Sequence, residues 1–416
     1  MARIKEYLRI FTKSPIILIA FFIILTFGSF SLGKNAEINQ YAIVTAIGID
    51  KVENSDNEVE ISLLTFVPVA QQSFTEKYKV IKAKGESVSE AIDFAGLSLG
   101  RRVGFNHVKI LVINEEYFSD NASVEMDFLV RDKNLALSTS VVCTDAKASE
   151  FLEAVQKLDS ESSIKIDDII EFNNEYVYSN ESTLETFYKG LYGPSKSSLV
   201  SFIALSDNSD EGVTVSANNG EGQAGNSGSQ SSSQSEKTIQ NDGSTILCRE
   251  GREIRHLNSE DMKKINFLRG SFVRGSITIE NFSDEVFHNA RLTFDIYESF
   301  INKRVKFENN IPIVNADVKV YVKLTEAKED DLEIKENVDY KNMSEKAVNA
   351  LEKEVKSIIK EGLDILRENQ CDIIDVYTLL YNHDPNAMQN FLKSLEDEED
   401  YLNHIIFKIS PQIYSS

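Results

Sequence analysis

The sequence predicts an α+β protein in which an N-terminal transmembrane helix is followed by small mixed-sheet domains. An uncharged run of 18 residues at 15–32 is long enough to span a membrane. Short alternating apolar runs, typical of strands, then intermix with runs at three-to-four spacing, which are typical of helices. Near the C-terminus, a long amphipathic pattern beside alternating runs predicts a long helix packed on an antiparallel sheet.

Length and composition limit the class of protein. A chain of 416 residues is long enough for two or three folded units. Its 42% hydrophobic and 26% charged residues exclude a wholly disordered chain and a polytopic membrane protein. The net charge of -22 repels phosphate backbones, so we expect no nucleic-acid partner. Cys143, Cys248 and Cys371 lie too far apart in sequence to indicate a disulfide framework, and at most one bridge can form.

Residues 1–34 are predicted to form a basic cytoplasmic end and a transmembrane signal anchor. Four basic residues precede the apolar run, against one acidic residue, Glu6. The basic residues are Arg3, Lys5, Arg9 and Lys13. This excess favours a cytoplasmic N-terminus, so everything after Leu32 should lie on the extracytoplasmic side of the membrane. A secretory signal cleaved after Ser29-Phe30-Ser31 is the alternative, and the sequence leaves both open.

Residues 35–205 are predicted to form an α+β region, with a division into two subdomains near 146 as one alternative. Apolar runs at 41–50 and 59–66 predict two paired strands. Residues 86–99 place their apolar side chains on one helical face, and Gly100 supplies a left-handed stop. The remaining patterns predict a strand at 107–113, a short helix at 124–131, a strand at 138–144 and a helix that includes 151–155.

Composition changes at 206–244, where Ser, Gly, Asn and Gln replace almost all large apolar residues. We expect this segment to be a flexible linker, because it has little apolar surface to bury. Residues 245–416 are then predicted to form a C-terminal α+β domain. Its predicted elements are strands at 271–279, 291–297 and 318–324, a long helix capped by Asn342 and Glu345, a helix at 373–381 and a strand at 404–409.

No motif for chemistry is visible in the sequence. The five histidines are scattered, and no HExxH or CxxC spacing brings metal ligands together. No phosphate-binding glycine loop is present either. His107, at the start of an apolar run, is predicted to be a packed histidine. We therefore expect a protein that is not an enzyme and uses no metal or other cofactor.

Several sequence blocks, in order, resemble those of a known family. They are EINQYAIVTAIGIDK at 37–51, GRRVGFNHVKILVINEEY at 100–117, DFLVRDKNLALSTSVVCT at 127–144, and CDIIDVYTLLYNHDP at 371–385, before a final strand. Together they resemble the Ger(x)C family, the C subunits of spore germinant receptors. The resemblance implies an α+β fold and a non-enzymatic subunit on the outer face of the spore inner membrane. It also implies polytopic A and B subunits as partners in sensing nutrients such as amino acids, sugars or nucleosides.

One departure from the family concerns the membrane anchor. The family usually carries a lipobox cysteine just after the apolar segment, where its acyl chains hold the protein to the membrane. Here Ser31-Leu32-Gly33 is followed by Lys34, and the nearest cysteine is Cys143. Since the thiol for lipid attachment is missing, the uncleaved helix at 15–32 is the expected anchor.

Seven positions in the matched blocks are candidates for structural roles in the family motifs. They are Gly48, Asp50, Gly100, Arg101, His107, Arg131 and Asp132. Gly48 and Asp50 are expected to shape a strand end and Gly100 to stop a helix. Arg131 and Asp132 are expected in a turn or an ion pair. For these five, structural roles are favoured over direct contact with a partner.

The leading hypothesis is a membrane-anchored receptor subunit that acts through protein–protein contacts without covalent chemistry. Two alternatives remain: an anchored extracytoplasmic enzyme acting on cell-wall material, and a solute-binding protein with a cleft between its halves. The sequence leaves open whether this subunit contacts the nutrient.

Overall fold

The structure is a computed structural model, and it describes residues 19, 22, 23, 41–52, 55, 58–66, 78–119, 128, 129, 131, 135–161, 165–207, 237–270, 272–328 and 343–415. Within these ranges, no helix combines the length and the apolar character needed to cross a membrane. Of the predicted anchor at 15–32, only Ile19, Phe22 and Ile23 are described, and all three are exposed. The segment as a whole lies outside the described residues.

The larger sheet of the described residues has nine strands from both halves of the chain. They are β1 (Tyr41–Lys51), β2 (Val59–Phe66), β3 (Tyr78–Gly85), β4 (Arg102–Gly104), β5 (Ile110–Asn114), β6 (Ser140–Thr144), β7 (Ser197–Phe202), β10 (Thr245–Arg249) and β11 (Arg252–Leu257). Their order is β11-β10-β7-β6-β5-β1-β2-β3, with β4 beside β1. Strands β1, β5, β6 and β7 run parallel, whereas β2, β3, β10 and β11 pair antiparallel.

Helices cover both faces of this sheet, which explains why β1 and β2 are almost continuously apolar. The helices are α1 (Val88–Leu99), α2 (Ala148–Glu161), α3 (Ile166–Phe172) and α4 (Leu184–Tyr192). Helices α1 and α4 pack on one face, and α2 and α3 on the other. The predicted pairing of the first two strands is confirmed, with Ile49 opposite Ile61.

The strand predicted at 107–113 starts three residues later, at Ile110. Parallel pairing of β5 with β1 begins at Ile110, opposite Ala46. The residues before it form a turn in which Val108 N donates to Phe105 O. His107 lies in this turn and is exposed, so the prediction of a packed histidine is wrong. Of the predicted helix at 124–131, only 128, 129 and 131 are described, and they are helical.

Two parts of the predicted linker at 206–244 belong to strands. Strand β8 (Ala204–Asp207) pairs antiparallel with β9 (Lys237–Gln240), and Ile239 is buried in the core under α2. The expectation of a linker is therefore wrong at 206–207 and 237–244, where a few apolar and turn residues suffice to order the chain. Residues 208–236 lie outside the described residues.

A second sheet has four strands in the order β12-β13-β14-β15. They are β12 (Gly275–Phe282), β13 (Ala290–Glu308), β14 (Ile311–Lys328) and β15 (Ile406–Ser415). Asn309 and Asn310 join β13 to β14 with φ of 51° and 65°, the backbone of a tight two-residue hairpin. The predicted antiparallel sheet is wrong at its last strand, because β15 returns through a helical crossover and pairs parallel to β14.

Helices α5 (Ser259–Arg269), α6 (Glu345–Glu368), α7 (Val376–His383) and α8 (Pro385–Leu392) complete the C-terminal half, with a 3-10 helix at Glu398–His404. The predicted apolar face of the long helix α6 is buried. Its N-terminus is capped by Ser344, whose side chain accepts from Ala347 N, rather than by Asn342, which is not described. This helix shares a core with the second sheet and with Leu199 and Leu247 of the larger sheet.

Candidate functional site

Asp50, at the end of β1, binds the first backbone N–H groups of α2. Its carboxylate accepts from Ala148 N at 2.6 Å and from Ser149 N at 3.1 Å. These N–H groups have no partner within the helix, so the carboxylate supplies acceptors from almost a hundred residues away. Burial raises the pKa of Asp50 to about 6, because desolvation outweighs both hydrogen bonds.

Gly48 lets α2 approach the centre of β1. A Cβ atom at this position would lie 2.9 Å from Cβ of Ala148 and 3.2 Å from Cδ1 of Leu152. Any larger residue would therefore push the helix away from the strand. Gly48 and Asp50 act on the same contact between β1 and α2.

The other predicted positions lie elsewhere. Gly100 ends α1 with φ of 62°, and its N–H donates to Leu97 O. Arg101 follows, and its N–H donates to Gly96 O. His107 and Arg131 are exposed, and Asp132 lies outside the described residues. The seven predicted positions therefore do not form one site within the described part of the chain.

A buried aspartate that the sequence analysis missed, Asp372, joins β7 of the larger sheet to the helical segment after α6. The backbone N–H of Asp372 donates to Ser197 Oγ of β7 at 3.1 Å. The Asp372 carboxylate accepts from Val376 N, Tyr377 N and the Tyr401 hydroxyl at 2.7–3.0 Å. Burial raises the pKa of Asp372 even though these hydrogen bonds oppose the shift.

Two cations lie close to this carboxylate. Lys303 Nζ donates to Ile374 O at 3.1 Å, and burial lowers its pKa to about 8 although Asp372 opposes the shift. Arg269, the last residue of α5, donates from Nη1 to Asn180 Oδ1 at 2.6 Å. Its side chain is exposed and lines a cavity. The protein around the guanidinium limits its hydration and so lowers its pKa.

This cavity has a volume of about 560 Å³ and lies between α4, the end of α5 and the segment before α7. Its wall includes ionisable side chains of both signs, which are Arg269, Lys189, Glu181, Asp372 and Asp375. The volume falls within the range of about 300–1,000 Å³ typical of small-molecule sites. The cavity is therefore large enough for a small solute, and its wall offers ionisable side chains of both signs.

A separate cluster could hold a metal ion. Glu115, Glu253 and His256 place one ligand atom each within 4.8 Å of one another. No sequence motif indicates this cluster, because Glu115 stands more than a hundred residues before the other two. The junction at Asp372 was missed for a similar reason, since Ser197 and Asp372 meet only through tertiary folding. No local sequence motif indicates the three-residue cluster or the contact between Ser197 and Asp372.

Comparison with known families gives two matches in succession. A family model described as "Spore germination protein N-terminal domain" matches residues 34–205. A second, described as "Spore germination B3/ GerAC like, C-terminal", matches residues 242–413. The two matches leave 206–241 unmatched, and of this segment the structure describes 206–207 and 237–241.

Individual proteins show more distant similarity. Spore germination protein KC of Bacillus subtilis (strain 168) is 26% identical over 144 residues, which cover 33% of this chain and 35% of that protein. The alignment thus spans about a third of the relative. The crystal structure of the GerBC protein superposes with a TM-score of 0.50 over 89% of this chain and 98% of that chain. At 14% identity, this similarity establishes the shared fold alone.

Proposed function

Because the chain belongs to the GerAC-like family of spore germination proteins, we propose that it is a non-enzymatic, membrane-anchored C subunit of a spore germinant receptor. The observation that carries the proposal is the succession of the two family matches, at 34–205 and 242–413, in the order N-terminal then C-terminal. Together they include most of the chain. In this proposal the subunit supports nutrient-triggered germination through contacts with the polytopic A and B subunits.

The proposed location is the outer face of the spore inner membrane. The uncharged segment at 15–32 and the basic residues before it support an anchor with the bulk of the chain outside. In this arrangement 1–34 is the anchor, 35–205 and 245–416 are the two folded regions, and 206–244 contains the connection. Because Lys34 stands where the family carries its lipobox cysteine, the anchor is proposed to be the helix itself.

The contacts of the family-motif residues support a role in architecture. Asp50 binds backbone N–H groups of α2, and Gly48 lets the same helix approach β1. Gly100 ends α1. All three residues act on the protein's own backbone, through hydrogen bonds, close packing or a helix end. Such structural roles fit a subunit whose function depends on a stable surface.

A solute-binding role is a second candidate, and the cavity beside Arg269 favours it. Its volume and mixed charges suit a small polar solute. Titration calorimetry of the full chain against amino acids and sugars tests this role. A saturable heat that is lost in Arg269→Gln would support it, and the absence of heat with every solute would contradict it.

Complementation of a deletion strain tests the leading proposal. The full chain should restore germination triggered by nutrients, whereas a form secreted without residues 1–34 should not. A third form, with 15–32 replaced by an unrelated transmembrane helix, separates anchoring from the sequence of the anchor and should restore germination. Restoration by the secreted form would contradict the need for anchoring, and failure of the full chain would contradict the receptor role.

A further inference from the structure

Glu115, Glu253 and His256 converge on the surface of the larger sheet. Nε2 of His256 lies 2.7 Å from Oε1 of Glu115 and 3.1 Å from Oε1 of Glu253. One imidazole and two carboxylates are ligands that first-row divalent metal ions accept. Ligand atoms about 2.1 Å from such an ion are themselves about 3.0–3.4 Å apart in octahedral and tetrahedral geometry. The observed separations are close to these values.

A β-bulge places two of the ligands on one face. Residues three apart on a regular strand point to opposite faces of the sheet, so Glu253 and His256 would ordinarily diverge. Along β10, Leu247 pairs with Arg255 but the next residue, Cys248, pairs with Glu253. Ile254 is therefore the extra residue of a bulge, and it shifts the strand so that both side chains reach the same point.

The neighbours of the cluster hold its members in place. The Phe202 ring meets the His256 ring edge to face, with centroids 4.9 Å apart. Ser119 Oγ donates to Oε2 of Glu253 at 3.2 Å, which leaves Oε1 of the same carboxylate directed at His256. Such second contacts orient metal ligands in known sites.

The cluster also lies where sheets of this kind bind ligands. Glu115 directly follows the last residue of β5, and Phe202 is the last residue of β7. Both strands run parallel to β6 between them. The carboxyl ends of parallel strands are the usual place for ligands in open α/β sheets.

The carboxylates of Glu115 and Glu253 both face His256, and a bound cation would stabilise this arrangement. A neutral imidazole nitrogen can donate one hydrogen to one carboxylate, yet two carboxylates face Nε2 of His256. In the part of the chain that the structure describes, the salt bridges of Glu115 and Glu253 are with this histidine alone. A divalent ion bound among the three side chains would offset the charge of both carboxylates.

We propose that Glu115, Glu253 and His256 bind a divalent first-row transition-metal ion of the zinc type. The ion takes Nε2 of His256 and one oxygen from each carboxylate. Three protein ligands leave at least one coordination position for water or for a ligand from another protein. This proposal does not rest on the assignment to a germinant receptor.

Cobalt and zinc titration of the purified full chain in detergent, first stripped of metal with a chelator, tests the site. Visible absorption of Co²⁺ should report one ion per chain, and Zn²⁺ should displace it. His256→Gln and Glu253→Gln should each weaken binding about tenfold or more. The matched control is His404→Gln, since His404 faces only one carboxylate, that of Asp400 at 3.3 Å, and should leave binding unchanged.

Equal binding by wild type and His256→Gln, or no stoichiometric binding by wild type, would overturn the proposal. A readout that needs no variant is X-ray absorption of the zinc-loaded wild type. It should show one imidazole with oxygen ligands, and a sulfur ligand would contradict the site. Zinc should also raise the thermal midpoint of the wild type and of His404→Gln, but not that of His256→Gln.

Discussion

At the scale of single residues, the Asp50 carboxylate joins β1 to α2 although burial disfavours its charge. Its pKa of about 6 in the folded protein lies above its ordinary value of 3.8. Between these values the folded chain holds a proton that the unfolded chain has released. The stability that Asp50 contributes is therefore full below about pH 4 and is lost as the pH rises through 6.

The first prediction concerns the direction of this pH dependence. The variant Asp50→Asn keeps the shape of the side chain but has no carboxyl group to titrate. From pH 4 to pH 7, the free energy of unfolding of the wild type should fall by about 2.4 kcal/mol relative to that of the variant. Urea unfolding of both proteins across this range measures the difference. A difference that is independent of pH would show that Asp50 titrates alike in the folded and unfolded chains.

At the scale of elements, the crossing of α5 and α6 depends on Gly362. A Cβ atom at this position would lie 2.4 Å from the carbonyl oxygen of Lys264, which belongs to the backbone of α5. Backbone cannot move aside as the end of a side chain can, so the two helices would have to separate. The same glycine lies on the apolar face that the sequence predicted for α6.

The second prediction is that Gly362→Ala lowers the free energy of unfolding by about 1–3 kcal/mol. This is the reverse of the usual effect, because alanine in a helix is intrinsically favoured over glycine by about 1 kcal/mol. Ser357→Ala, on the exposed face of the same helix, is the control and should change stability by about 0.5 kcal/mol at most. If Gly362→Ala proves as stable as wild type, the close helix contact is not needed.

Elements with long periodic patterns could be predicted, and pairings between distant segments could not. The apolar face of α6 and the pairing of β1 with β2 follow from spacing within one stretch of sequence. The parallel register of β15 depends on the path of the chain through three helices, which no local pattern records. The proposed metal site depends on a one-residue bulge at Ile254, which is equally invisible to hydropathy.

At the scale of the whole molecule, the two halves of the chain share a sheet and a core. Strand β10, from after the central segment, pairs with β7, from before it, with Thr245 opposite Ser201. Leu199 and Leu247 belong to the same buried cluster as the second sheet and α6. Asp372 N, which donates to Ser197 Oγ, adds a buried hydrogen bond between the halves. The regions on either side of 206–244 are therefore continuous in structure.

The third prediction is that the halves remain together when the chain between them is cut. A protease site introduced within 208–236 would leave β7 in one fragment and β10 in the other. Separation would expose Leu199 and Leu247, which pair across the two halves, and the burial of each contributes about 1.5–3 kcal/mol. It would also break the β7–β10 ladder. Native cleavage should yield two fragments that elute from gel filtration as one species of unchanged size, and that separate only in denaturant. The uncut variant is the control for size, and elution of two smaller species after native cleavage would mean that the halves are independent units.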